Sequence, residues 1–208
     1  MNEYSKNEEL LNTLSHAIGI ALSIVAAVLL MIKAIRLASP VYIVSFGVFA
    51  LSLLILYSAS TFYHGATDIS AKQKLKVFDH AAIYVLIAGS YTPFALIILP
   101  DAWGWSMFRV EWTLALTGII LKLFYTGRFE KISTAAYVLM GWIVIIAIKP
   151  LIDNLSQEGV MWLFIGGIFY TLGALLYLIK KIPYNHAIFH VFVLLGSFSH
   201  FVSVYYYI

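Results

Sequence analysis

A chain of 208 residues that is 62% hydrophobic and only 11% charged, with a mean hydropathy of +0.92, lies far outside the balance of a water-soluble domain and reads as a polytopic membrane protein. At about 20 residues per membrane helix, such a length is taken up by spans, so one integral membrane domain is expected over residues 1–208, multi-pass in the cell membrane. The net charge of +3 comes from Lys and Arg dispersed among short connections, which excludes a basic face for nucleic acid, and the absence of cysteine excludes disulfides and thiolate ligands.

Residues 1–9 are polar and lack the basic, apolar and small-residue pattern of a cleaved signal, so the first span is expected to remain in the mature protein. Apolar segments predict seven spans, at 14–32, 41–64, 81–99, 110–125, 132–148, 159–179 and 186–207. Lys33 and Arg36 close the first, and Ser39-Pro40 turns the chain into the second. Asp68 to Lys76 reads as a basic loop. Pro93 is a candidate kink in the third span, and Pro100-Asp101 ends it. Trp103 and Trp105 are placed in the following loop as interfacial aromatics, as are Tyr205, Tyr206 and Tyr207 near the other end. The fourth span is the least apolar: Lys122 is expected to snorkel toward an interface, or Arg109 and Glu111 to lie at its opposite end. Lys149-Pro150 closes the fifth span and Lys180-Lys181 the sixth, while Pro183 and Asn185 suit the first turn and cap of the seventh. The expected fold is an all-α, seven-transmembrane helix bundle.

An odd number of spans puts the termini on opposite sides. With the N-terminus cytoplasmic, the inner segments hold Lys6, Lys72, Lys74, Lys76, Lys122, Arg128, Lys131, Lys180 and Lys181, nine of the 13 basic residues, and the outer ones hold Lys33, Arg36, Arg109 and Lys149. The positive-inside rule therefore predicts a cytoplasmic N-terminus and an external C-terminus. A retinal protein is disfavoured, because the last lysine, Lys181, precedes the seventh span.

His186 and His190 lie one helical turn apart on one face, close enough for both imidazoles to reach a single metal ion. His64, ending the second span, is the best third ligand, since this topology brings His64, Asp79, His186 and His190 to the cytoplasmic ends of three helices. Three neutral imidazoles on zinc leave a fourth position for water and lower its pKa to roughly 7. Asp79 has the chemistry to hold or deprotonate that water, and Ser60, one turn before His64, to contact a ligand or a substrate carbonyl. Each histidine alone is more often an interfacial hydrogen-bonding group; the four residues together raise the functional reading. Glu9, Asn12 and His16 share one face of the first span, where they either support the ligands or cap and anchor the helix. His80, pointing about 100° away from Asp79, is expected at the interface, and His200, about 15 Å deeper than His190, is expected to be a buried hydrogen-bonded group. Gly166, Gly167 and Gly173 are expected to permit close helix packing.

Glu9-x-x-Asn12-x-x-x-His16, Ser60-x-x-x-His64 followed by Asp79, and His186-x-x-x-His190, in that order, resemble the progestin and adipoQ receptor family, in its hemolysin III branch, over nearly the whole chain. The resemblance implies a seven-helix bundle with an internal N-terminus and a zinc site in which His64, His186 and His190 are ligands, Asp79 meets the water and Ser60 is an adjacent polar contact. It also implies a link to membrane lipid homeostasis, and relatives similar to ceramidases point to hydrolysis of a lipid amide or ester, with membrane lipids as partners. Two readings from other classes stand beside it: a membrane-lytic or pore-forming cytolysin, for which no span shows a continuous polar stripe, and a sensor in which zinc only braces helices.

Overall fold

The computed structural model describes residues 4–208. Among them every regular element is helical, in the order α1 (Lys6–Arg36), α2 (Pro40–Gly65), α3 (Ile69–Pro93) continuing through a π-turn (Phe94–Ile98), α4 (Asp101–Tyr125), α5 (Glu130–Gly141) leading through a 3-10 turn (Ile143–Ala147) into α6 (Ile148–Asn154), α7 (Gln157–Leu178) and α8 (Asn185–Tyr207). α1 packs on α2 and α8, α2 on α3, α3 on α4 and α5, and α7 on α5 and α8, so the long helices close into a ring.

The first helix shows how this sequence suits lipid. Its inward face carries small and polar groups, Asn12, His16, Gly19, Ser23 and Ala26 before Leu30 and Ala34. Leu14, Ile18, Leu22 and Val25 are exposed on the other side. This inverts the pattern of a soluble bundle, because lipid tails accept large apolar side chains and small ones let helices approach. Ser5 caps α1 by accepting from the Glu8 N–H, Glu8 and Glu9 lie at the positive end of the helix dipole, and Lys33 and Arg36 lie at the negative end.

Six helical rods are long and apolar enough to cross a membrane: Lys6–Arg36, Pro40–Gly65, Ile69–Ile98, Glu130–Asn154, Gln157–Leu178 and Asn185–Tyr207. The expected fourth span is present as the helix α4, 25 residues long, but Asp101, Arg109, Glu111 and Lys122 hold its apolarity below that of the others. Neither of its inner charges behaves as expected. Lys122 turns inward and is buried instead of snorkelling, and Glu111 is fully buried instead of lying at a helix end.

Other local expectations are also corrected. The segment read as a basic loop is mostly the first two turns of α3, with the Asp68 side chain capping it by accepting from the Ala71 N–H at 2.7 Å. Trp103 and Trp105 stand on α4, not in a loop. Pro93 sits where α3 passes into the π-turn, which ends with the Leu99 N–H donating to the Phe94 carbonyl. Asn185 does not cap α8: it is the first helical residue and donates from its side chain to the Tyr177 carbonyl at 2.7 Å, while Tyr184 stands at the cap with φ 56°. The charged and capping residues were assigned to loops because polarity was read as lying outside helices, whereas helix ends carry it routinely.

Of Gly166, Gly167 and Gly173 in α7, two fit the packing expectation closely. A Cβ on Gly166 would run into the His200 ring, and one on Gly173 would come within 2.7 Å of Phe192 Cβ, whereas Gly167 faces Trp142 at an ordinary 3.4 Å. Overpacking of this kind costs about 1–3 kcal/mol. Gly166→Ala should therefore lower the melting temperature clearly more than Gly167→Ala; equal shifts in a detergent thermal melt would contradict the packing.

Candidate metal centre and its cavity

Three helix ends and the body of α3 deliver the site. His64 lies in the last turn of α2, His186 and His190 in the first two turns of α8, and Glu9, Asn12 and His16 along the start of α1; Asp79 lies on α3. His64, His186 and His190 are all buried, and each offers a ring nitrogen within 4.8 Å of the other two. His64 Nε2 and His186 Nε2 are 3.0 Å apart. Zinc with bonds of about 2.0–2.1 Å to nitrogen in tetrahedral array wants its ligand nitrogens slightly farther apart than that, so the cluster is of a size that closes on one ion with small ring movements.

The outer nitrogens are held by other groups. His64 Nδ1 donates to Glu9 Oε2 at 2.6 Å, and the other oxygen of Glu9 accepts from Lys72 Nζ at 2.6 Å. With that proton committed to Glu9, the Asn12 side-chain amide, 3.4 Å from the same nitrogen, is a neighbour and not a bonding partner. His190 Nδ1 lies 3.2 Å from the Asn12 carbonyl and 3.1 Å from Ser15 Oγ, and His186 Nδ1 lies 3.1 Å from the Tyr4 hydroxyl. A carboxylate or carbonyl on Nδ1 fixes the tautomer that leaves Nε2 as a lone pair facing inward, the arrangement seen behind metal-bound histidines. The donor set and its supports therefore fit a borderline-soft cation such as zinc.

Asp79 is buried and stands outside the three-nitrogen cluster, with Ser60 and His64 as its electrostatic neighbours. Ser60 Oγ is buried without a well-formed hydrogen bond. His16 stacks on His190 with ring centroids 3.5 Å apart, and both of its own ring nitrogens are buried and unpaired.

These groups meet a cavity of about 130 Å³ enclosed by α1, α2, α3, α4, α5, α7 and α8. Its polar end holds Asp79, His80, Lys122, Glu130, His186 and His190; its deeper part is lined by Leu86, Ile87, Val138, Val193 and Trp142, reaching His200. The lining runs from Asp79 to Tyr91 along α3 and from His186 to His200 along α8, some 18–21 Å at 1.5 Å per residue. That is more than half of a hydrocarbon core of about 30 Å.

Glu9, Asn12 and His16 thus lie at the histidine cluster, and His200 is buried with Nε2 on the Leu163 carbonyl at 3.2 Å. His80 was misplaced at the interface: it lines the cavity beside Asp79, its Nε2 4.0 Å from Asp79 Oδ2. Tyr4, Ser15 and Lys72 were not singled out, and Lys122 was expected to snorkel, whereas it lines the cavity. Ser15 and Lys72 carried a weak signal, since Ser15 lies within the Glu9-to-His16 stretch and Lys72 is the first base after His64; Tyr4 carried none.

The haemolysin-III-related family profile matches residues 4–201, which contain every residue of this cluster. The chain is 47% identical to a hemolysin-3 homolog of Bacillus subtilis (strain 168), covering 98% of this chain and 96% of that protein. It is 44% identical to hemolysin-3 of Bacillus cereus, over 100% and 94% of the two chains. A more distant similarity, 25% over 77% of this chain and 69% of the other, extends to the human monocyte to macrophage differentiation factor. Six apolar helices around a histidine-lined cavity and a match over almost the whole length lead to one assignment: this is an integral multi-pass membrane protein, and it belongs to the haemolysin-III-related family.

Proposed function

We propose that the protein is a zinc-dependent membrane hydrolase acting on an amide or ester bond of a lipid, with His64, His186 and His190 as the metal ligands and Asp79 as the acid–base group. The observation that carries this reading is a cluster of three buried imidazoles, two of which, His186 and His190, line the polar end of a long apolar cavity together with the buried Asp79 carboxyl. A zinc ion held by His64, His186 and His190 would supply a Lewis acid for the reacting carbonyl and its water. Asp79 accepts and returns the proton of the attacking water, and Ser60 steadies its carboxyl. Glu9 and the Asn12 carbonyl keep His64 and His190 in the ligating tautomer, and Lys72 holds Glu9 ionised. The apolar lining takes the lipid chain and keeps bulk water from the reacting bond.

Metal analysis of the purified protein, followed by mass spectrometry of a panel of lipid amides and esters incubated with it, tests the proposal. About one zinc per chain with release of fatty acid is expected; stoichiometric zinc with no product from any member of the panel turns the reading to a zinc-braced regulator. The printed name of the Bacillus cereus relative favours a second reading, direct cytolysis, which requires leakage from lipid vesicles upon addition of purified protein.

We also propose seven spans, with α4 crossing as the fourth because Glu111 and Lys122 turn inward, a cytoplasmic N-terminus and an external C-terminus. The nine-to-four distribution of basic residues supports it. A reporter fused at the C-terminus should be active only if its enzyme works outside the cytoplasm; strong cytoplasmic reporter signal would reverse the orientation.

A further inference from the structure

Lys122 has no part in the metal chemistry, yet it is 4% exposed and lines the same cavity. Its ammonium has three N–H donors. One is used, on Ser133 Oγ at 2.7 Å, and the Tyr137 ring lies 5.9 Å from the charge. Among the described residues it has no carboxylate within ion-pairing distance. Glu130, which lines the same end, acts on it from farther away and from a partly exposed position where water takes up its charge. Ionised groups at this depth are costly unless something answers them, and those that persist face a cavity and meet a partner there.

We infer that Lys122, steadied by Ser133, is an anion subsite at the polar end of the cavity, and that the amphiphile bound there carries a phosphate or carboxylate group. The inference rests on the reading of the cavity as a lipid site, and it narrows the class of lipid. Lys122 lies in the last turn of α4 and Ser133 near the start of α5, and both line the same cavity as the α8 histidines. An acyl chain directed along Leu86, Ile87 and Val193 would leave its anionic group at the polar end, where the two unused donors of Lys122 can take it. Lys122 is thereby a specificity-determining residue and is not assigned a step in bond cleavage.

The test is binding, and it does not require turnover. Purified protein in a neutral detergent is offered three amphiphiles of matched chain length, a fatty acid, a phosphatidylglycerol and a diacylglycerol, and retained lipid is counted by native mass spectrometry. Wild-type protein should retain at least one anionic lipid roughly tenfold or more over the diacylglycerol, as expected for charge-assisted hydrogen bonds in a dry site. Lys122→Met should bring that ratio near one while diacylglycerol binding persists, and Lys122→Arg should keep it. Preference for only the phosphate or only the carboxylate lipid identifies which group the site takes. A wild-type protein with no preference overturns the inference without any variant, so it stays testable even where Lys122→Met does not fold. An unchanged ratio in a folded Lys122→Met protein overturns it as well. Preference without hydrolysis of any lipid would count against the proposed enzyme and leave the anion subsite standing.

Discussion

Protein carrying His186→Ala should leave purification with almost none of its zinc and melt well below the wild type. His186 supplies one of the three converging nitrogens found among the described residues, and the remaining pair, His64 and His190, sits on two different helices. Two imidazoles bind zinc far more weakly than three, so occupancy should fall from about one per chain toward zero. Ligand linkage then removes stability: a metal present at 1,000 times its dissociation constant stabilises the folded state by about 4 kcal/mol, all of which is lost. His64→Ala and His190→Ala should behave alike. Glu9→Ala should be graded, since losing a partner behind a ligand typically costs roughly 10- to 100-fold in metal affinity. Zinc retained at wild-type stoichiometry in both His186→Ala and His190→Ala would remove the ligand assignment.

Asp79→Asn should separate metal from chemistry. Asp79 lies outside the three-nitrogen cluster, so zinc content should stay near that of the wild type. The proton acceptor is gone, and general-base contributions of about 10²- to 10⁴-fold should be lost from kcat on whichever lipid the wild type hydrolyses. Ser60→Ala should be milder: Ser60 neighbours the Asp79 carboxyl without a well-formed hydrogen bond, so at most the about 0.5–1.5 kcal/mol of one hydrogen bond is at stake, a slowing of up to about tenfold. An Asp79→Asn protein that loses its zinc would show that the carboxylate coordinates directly, and the hydrolase reading would give way to a closed structural site.

The parts of this architecture legible in the sequence were those set by periodicity and by ligand chemistry. Apolar runs located the long helices, and i, i+4 spacing placed His186 and His190 on one face, where they are found with His64. The face of Glu9, Asn12 and His16 was legible as a face, but its target was not: that Glu9 meets His64 depends on α1 packing beside α2. Lys122 and Glu111 show the main blind spot. Charge in an apolar segment was taken to seek water along the helix axis, whereas both side chains turn toward the bundle interior. His80 erred for a related reason, because a cavity wide enough to span a quarter turn of α3 accepts Asp79 and its neighbour together. Sequence spacing describes one helix at a time, and a cavity is a property of seven.

The bond network of this site also sets an order of events during synthesis. His64 and His186 are 122 positions apart, and His190 is tied to Asn12 across 178. α1 and α2 are made early, carrying Glu9, Asn12 and His64, but the three imidazoles meet only once the last helix has closed the ring against α1. On the proposed ligand set, metal loading would therefore be a late step. Chains interrupted anywhere before α8 hold only one of the three imidazoles, so a truncated product would lack the proposed shell.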